Sequence, residues 1–165
     1  PARGGAARAA LGMALLDAWT RRAGLPLRVL FGGAQSRVFS DVTVTLGGPE
    51  AAFAAAKRIR PMGVRIEKVK VGLTPAADAA RVAEVARAHP RAALTLDANQ
   101  GYGPAQSLAL VRRLRARGIV PVLFEQPCAA RDLRGMAAFH RRSRFRFFSH
   151  TFSFGHFRRV PQVGQ

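Results

Sequence analysis

The chain has 165 residues, 48% of them hydrophobic, and carries 27 Lys and Arg against 9 Asp and Glu, a net charge of +18. That is enough apolar material for one domain with a packed core. No run of about 18 apolar residues supplies a membrane-spanning helix, and the single cysteine, Cys128, excludes an intramolecular disulfide.

The sequence begins Pro1-Ala2-Arg3, with neither an initiator Met nor a signal-peptide pattern. The natural start is therefore expected upstream; the lone cysteine fits a protein of the cytoplasm. Ala6 to Ala23 reads as a helix, with Ala10, Leu11, Ala14, Leu15 and Ala18 at helical spacing and Gly24 as its stop. Val38 to Leu46 alternates Val42, Val44 and Leu46 with Thr43 and Thr45 and reads as a strand. Pro49 to Ile59 is a helix opened by Pro. Arg65 to Val71 is the next strand. Pro75 to His89 is helical, with Ala76, Ala79, Ala80, Val82, Ala83, Val85 and Ala86 as its apolar face.

Ala92 to Asp97 reads as a strand, Pro104 to Arg117 as a helix ended by Gly118, Val120 to Glu125 as a strand and Leu133 to His140 as a helix. Each helix is expected to open with Pro. Strands alternating with helices in this way predict βα units on a parallel sheet, in a βα barrel or a doubly wound fold. After Asp132 no acid follows, whereas Arg134, Arg141, Arg142, Arg144, Arg146, Arg158 and Arg159 do, and the same stretch holds seven of the 11 Phe. Phe145 to Ser149 could form a short strand. Thr151 to Gln165 shows no periodicity and is expected to be poorly ordered; its Arg and Phe would suit an arm for nucleic acid or a membrane surface.

In a parallel barrel, chemistry sits where strands end. Lys68 and Lys70 are two apart and share a face, leaving Val69 and Val71 toward the helices. Like charges side by side lower each other's pKa, which favours an amine able to take a proton. Asp97 shares a face with Thr95, opposite Leu94 and Leu96; Glu125 shares one with Leu123, opposite Phe124. Two carboxylates on adjacent strand ends repel unless a cation or a proton lies between them, and such oxygen donors suit Mg²⁺. Asp132 reads instead as the cap of the following helix.

The strings Lys68-Val-Lys-Val-Gly72, Asp97-Ala-Asn-Gln-Gly-Tyr102 and Phe124-Glu-Gln-Pro127, in this order on consecutive strand ends, resemble the enolase superfamily of the muconate-lactonizing (mandelate racemase/muconate lactonizing enzyme) type. Ala10-Leu-Gly-Met-Ala-Leu-Leu-Asp-Ala18, with Gly24-Leu-Pro-Leu27 and Leu30-Phe-Gly-Gly33, resembles the helix leading from that family's capping domain into its barrel. Ser40-Asp-Val-Thr-Val44 and the Asp97 string are most similar to dipeptide epimerases, including the Ala-Glu epimerases. The resemblance implies an α/β fold, a partial (β/α)8 barrel of about four to five units. Residues 1–34 would be the last capping-domain helix and linker, 35–143 the partial barrel, and 144–165 a basic, aromatic tail. It implies Lys70 as the acid/base that removes the α-proton of a carboxylate substrate, Lys68 as its electrostatic support, and Asp97 and Glu125 as ligands of Mg²⁺.

The sequence also departs from the family. The third metal carboxylate would fall near His150, in Ser149-His150-Thr151-Phe152, and the opposing lysine of a sixth strand is missing. A truncation or a frameshift that puts residues 145–165 out of frame accounts for both. This chain alone is then expected to be a fragment of an isomerase with little or no activity, and to pair through its open side as a homo-oligomer. A small carboxylate, a dipeptide first of all, is the expected partner, with no membrane. Muconate cycloisomerisation, o-succinylbenzoate synthesis and N-acylamino acid racemisation stay open. So do two other classes: a basic nucleic-acid-binding protein, which no recognition motif supports, and a non-catalytic interaction protein.

Overall fold

The computed structural model describes residues 4–144 and the backbone of Phe147–Phe148. Two compact units divide the chain, Pro1–Val38 and Phe39–Gln165. The first contains α1 (Gly5–Arg22) and a single turn, α2 (Leu27–Leu30), which the sequence did not announce. α1 ends as expected, with Gly24 at φ 66° just beyond it.

The second unit alternates strand and helix throughout: β1 (Asp41–Val44), α3 (Pro49–Ile59), β2 (Ile66–Lys70), α4 (Pro75–Ala88), β3 (Ala93–Asp97), α5 (Pro104–Arg115), β4 (Leu123–Glu125), α6 (Leu133–Ser143) and β5 (Phe147–Phe148). All five strands pair in parallel in the order β1-β2-β3-β4-β5. Consecutive parallel strands, each joined to the next by a helix, form the expected partial βα barrel. The short strand expected near Phe145–Ser149 is present as β5. His150 and Thr151–Gln165, on which the sequence raised expectations, lie outside the described residues.

Proline opens α3, α4 and α5, where its missing N–H would have no partner in any case. It does not open α6, contrary to expectation. There the Asp132 carboxylate accepts the Gly135 N–H at 2.8 Å, so that helix is capped by a side chain. β4 is shorter than expected and starts at Leu123. Pro121 has no N–H to give a ladder, and Val120 and Val122 are exposed.

The core lies between the sheet and the helices. Val44, Val69, Leu94, Leu96 and Phe124 meet Ala52, Ala56, Val82, Val85, Leu110, Leu114 and Phe139, all buried. Phe124 and Phe139 stack edge to face with centroids 5.5 Å apart. Each large side chain so buried contributes about 1.5–3 kcal/mol. The buried face of α4 differs from the expected apolar one: Ala76 is exposed, while Asp78 and Arg81 are buried beside Ala79, Val82, Val85 and Ala88.

Candidate active site

Strand register brings the four expected side chains together. Lys70 is paired with Asp97 across β2 and β3, and Asp97 with Glu125 across β3 and β4. Along β2 the burial alternates, with Glu67 and Val69 buried and Ile66, Lys68 and Lys70 only partly so. The alternation puts the two lysines on the face away from the helices.

The Lys68 ammonium bridges the carboxylates, 3.0 Å from Asp97 Oδ2 and 2.6 Å from Glu125 Oε2. Lys70 Nζ donates to the same Asp97 oxygen at 2.7 Å and also to the Asn99 side-chain carbonyl. Asp97 Oδ1 accepts the Asn99 N–H at 3.0 Å. The repulsion expected between the two acids is thus relieved by a cation, and that cation is Lys68.

This pairing corrects one expectation. Burial alone would lower the Lys68 pKa, yet the hydrogen bonds to Glu125 and Asp97 outweigh it and hold the ammonium above its ordinary value. These contacts favour the ammonium form of Lys68 over the neutral amine expected from its neighbour Lys70. Burial would push the Asp97 carboxyl up, but the hydrogen bonds from Lys70, Lys68 and Asn99 N–H hold it below its usual range.

The loops leaving the strands are tied to one another. Val71 N–H donates to Asp97 O at 2.9 Å, Ala98 N–H to Glu125 O at 3.2 Å and Gln100 N–H to Gln126 O at 3.0 Å. Asn99, Gln100 and Gln126 turn the chain with positive φ, at 46°, 69° and 42°. Gly72 (φ 120°) passes so close to the neighbouring loop that an added Cβ would lie 2.8 Å from Ala98 O. A side chain there is excluded both by conformation and by space.

The sequence reasoning assigned no role to Asn99, though it lies in the quoted Asp97 string. It also passed over two buried polar groups behind the strands: Asp78, Arg81 and Tyr102, and the pair Glu67–His89, with 2.6 Å between Oε1 and Nδ1. Charged residues beside apolar ones, Glu67 next to Ile66 on β2 and Arg81 between Ala80 and Val82 on α4, were the available signal.

Among the described residues no group of three His, Cys, Asp or Glu side chains gathers as a metal site, and no helix is long and apolar enough to cross a membrane. Asp97 and Glu125 are two adjacent oxygen donors already sharing one cation. They fit a hard divalent ion that keeps water in its other positions.

The enolase C-terminal domain-like family matches residues 50–159. The aromatic dipeptide epimerase of Herpetosiphon aurantiacus is 43% identical over 133 residues, covering 80% of this chain and 37% of that protein. The crystal structure of a mandelate racemase/muconate lactonizing protein from the same organism superposes with a TM-score of 0.79 at 40% identity, over 84% of this chain and 39% of that one. The dipeptide epimerase of Enterococcus faecalis complexed with Mg and the dipeptide L-Leu-L-Tyr gives a TM-score of 0.75 at 30% identity, over 81% and 38% of the two chains. The chain belongs to the enolase C-terminal domain-like family, and it spans 37% of the length of the first of these relatives.

Proposed function

We propose that this chain carries one side of the active site of an Mg²⁺-dependent dipeptide epimerase. Lys70 would be the acid/base, Lys68 the fixed charge beside it, and Asp97 and Glu125 the two metal carboxylates. The observation that carries the reading is the register of three consecutive strand ends, with Lys70 Nζ 2.7 Å from the Asp97 carboxylate that Lys68 joins to Glu125. Dipeptides are favoured as substrate because the relatives include an aromatic dipeptide epimerase and a dipeptide-bound epimerase.

The α-proton beside a carboxylate is very weakly acidic, so its removal needs strong stabilisation of the charge left behind. A divalent ion on Asp97 and Glu125 would supply most of that stabilisation. Lys70, in its neutral form, takes the proton from Cα and becomes an ammonium; in the reverse direction it returns the proton to carbon. Lys68, already positive, adds its field to the same developing negative charge. Asn99 and Asp97 aim the Lys70 amine. The cytoplasm is the proposed compartment, and association of copies through the open side of the sheet the proposed assembly. With the third carboxylate and the opposing lysine unassigned in this sequence, we expect the 165-residue chain alone to turn over dipeptides little or not at all.

Metal binding and exchange of the substrate α-proton test the reading separately from full turnover. Calorimetric titration with Mg²⁺ should show binding that Asp97→Asn abolishes. Proton NMR of a dipeptide in D₂O with Mg²⁺ should show slow loss of the α-proton signal, removed by Lys70→Met. Binding that survives Asp97→Asn, or exchange that survives Lys70→Met, would sink the assignment.

A further inference from the structure

The helix-facing side of β2 holds a buried polar cluster that the proposed chemistry does not use. Arg81 on α4 is 2% exposed and Asp78 is fully buried. One Arg81 Nη donates to the main-chain carbonyl of Lys70, and the other lies 3.2 Å from Asp78 Oδ1. Asp78 Oδ2 accepts the N–H groups of Gly72 and Leu73, both at 2.9 Å, and the Tyr102 hydroxyl. Burial and the adjoining Asp78 carboxylate hold the Tyr102 hydroxyl protonated, with its pKa pushed up.

A guanidinium costs free energy to bury, and this one leaves Nε and Nη1 without a hydrogen bond. An aliphatic side chain would fill a core position without that cost. What the arginine adds is a donor at one backbone atom. β1 ends at Val44, opposite Val69, so no β1 residue pairs with Lys70. The Lys70 carbonyl sits where the sheet has run out of strand on that side, and Arg81 provides the donor. Asp78 then fixes the two residues after the strand, and Tyr102 ties the same carboxylate to the loop that follows Asp97.

We infer that Arg81, Asp78 and Tyr102 are positioning residues for Lys70: they clamp the end of β2 from behind, so that the amine is delivered to Asp97 and Asn99 on the opposite face. The inference rests on the reading of Lys70 as the acid/base for its catalytic meaning, but the clamp itself is a statement about placement.

Competitive acetylation with an amine-reactive ester tests it on the intact chain. Lysine occurs at three positions, Lys57, Lys68 and Lys70, so each is its own reporter. Lys57 is exposed and serves as the internal standard. In Arg81→Met the Lys70:Lys57 labelling ratio should rise roughly fivefold, the factor to which one hydrogen bond's net contribution converts. Arg81→Lys, which keeps a donor, should recover part of that change. Should Arg81→Met fail to fold, Tyr102→Phe removes only the hydroxyl and should raise the same ratio by a smaller factor. An unchanged ratio in a folded variant, or an equal rise at all three lysines, would overturn the clamp. A risen Lys70:Lys57 ratio in Arg81→Met alongside an absence of α-proton exchange in the unmodified chain would sink the acid/base reading and leave the positioning role standing.

Discussion

The two faces of one sheet treat charge in opposite ways. On the face away from the helices, Lys68, Lys70, Asp97 and Glu125 sit at strand ends and pair across strands, keeping access to solvent at 19% and 29% for the two lysine side chains. On the helix-facing side, Glu67, Asp78 and Arg81 are fully or almost fully buried among Val69, Val82, Leu96 and Phe124. Asp97 and Glu125 beneath them are buried, at 1% and 8%, so the exposure of the first set is that of its lysines. The second is locked, and several of its atoms, Glu67 Oε2 among them, lack a hydrogen bond. A single strand, Ile66–Lys70, contributes to both, because alternate residues point to opposite sides.

The largest effect is expected from removing matter on the helix-facing side. Phe124→Ala should cost about 3–5 kcal/mol in denaturant unfolding, the range for a fully buried aromatic. A loss below about 1 kcal/mol would mean that the helix-facing layer is not the packed one. On the other face, Lys68→Met leaves two adjacent carboxylates without their shared cation. It should cost about 1–2 kcal/mol at pH 7, less than a fully buried pair because the site is partly wet. Millimolar Mg²⁺ should recover that loss, and the variant should bind the ion more tightly than the unmodified chain, since the competing ammonium is gone. Weaker binding would remove the picture of one cation position shared by lysine and metal.

Glu67 sharpens the contrast through pH. Burial raises its carboxyl above the ordinary 4.5, and the hydrogen bond and charge of His89 oppose that rise without cancelling it. The folded form therefore holds its proton more tightly than the unfolded one. That contribution to stability is fully present below pH 4.5 and is lost as pH rises through the folded value. Glu67→Gln, which stays neutral, should flatten this part of the stability-versus-pH curve measured by thermal unfolding; an unchanged slope would place the dependence elsewhere. The smallest effect belongs to the cap of α6. Asp132→Ala should cost about 1 kcal/mol through the loss of one carboxylate–amide bond at the start of α6.

Much of this arrangement was legible in the residues. The alternation in Ile66–Lys70 and Ala93–Asp97 placed the lysines and Asp97 on one face, and prolines marked three helix starts. The strand ends at Asp97 and Glu125 were read at the positions the structure gives them, and that of β2 one residue long, at Val71 instead of Lys70. Periodicity failed where one residue type can do two jobs. Val120 and Val122 read as strand because they are β-branched, but Pro121 between them has no N–H for a ladder. α4 read as apolar because its alanines outnumber its charges, yet two of the charges are buried and Ala76 is not. The reading of Lys68 as a lowered-pKa amine counted its neighbour Lys70. It missed that both carboxylates would reach it, a contact set by register between strands and invisible along any one of them.

The cross-strand ties at the loop ends carry a consequence for anyone wishing to redesign this protein. Gln100 hands its side-chain oxygen to Ala130 N–H at 2.8 Å while its own N–H goes to Gln126 O. Each turn is thus completed by atoms that belong to the next. Grafting a foreign turn after β3 alone would strip hydrogen bonds from the segment after β4, so successful recombination must exchange the neighbouring turns as a set.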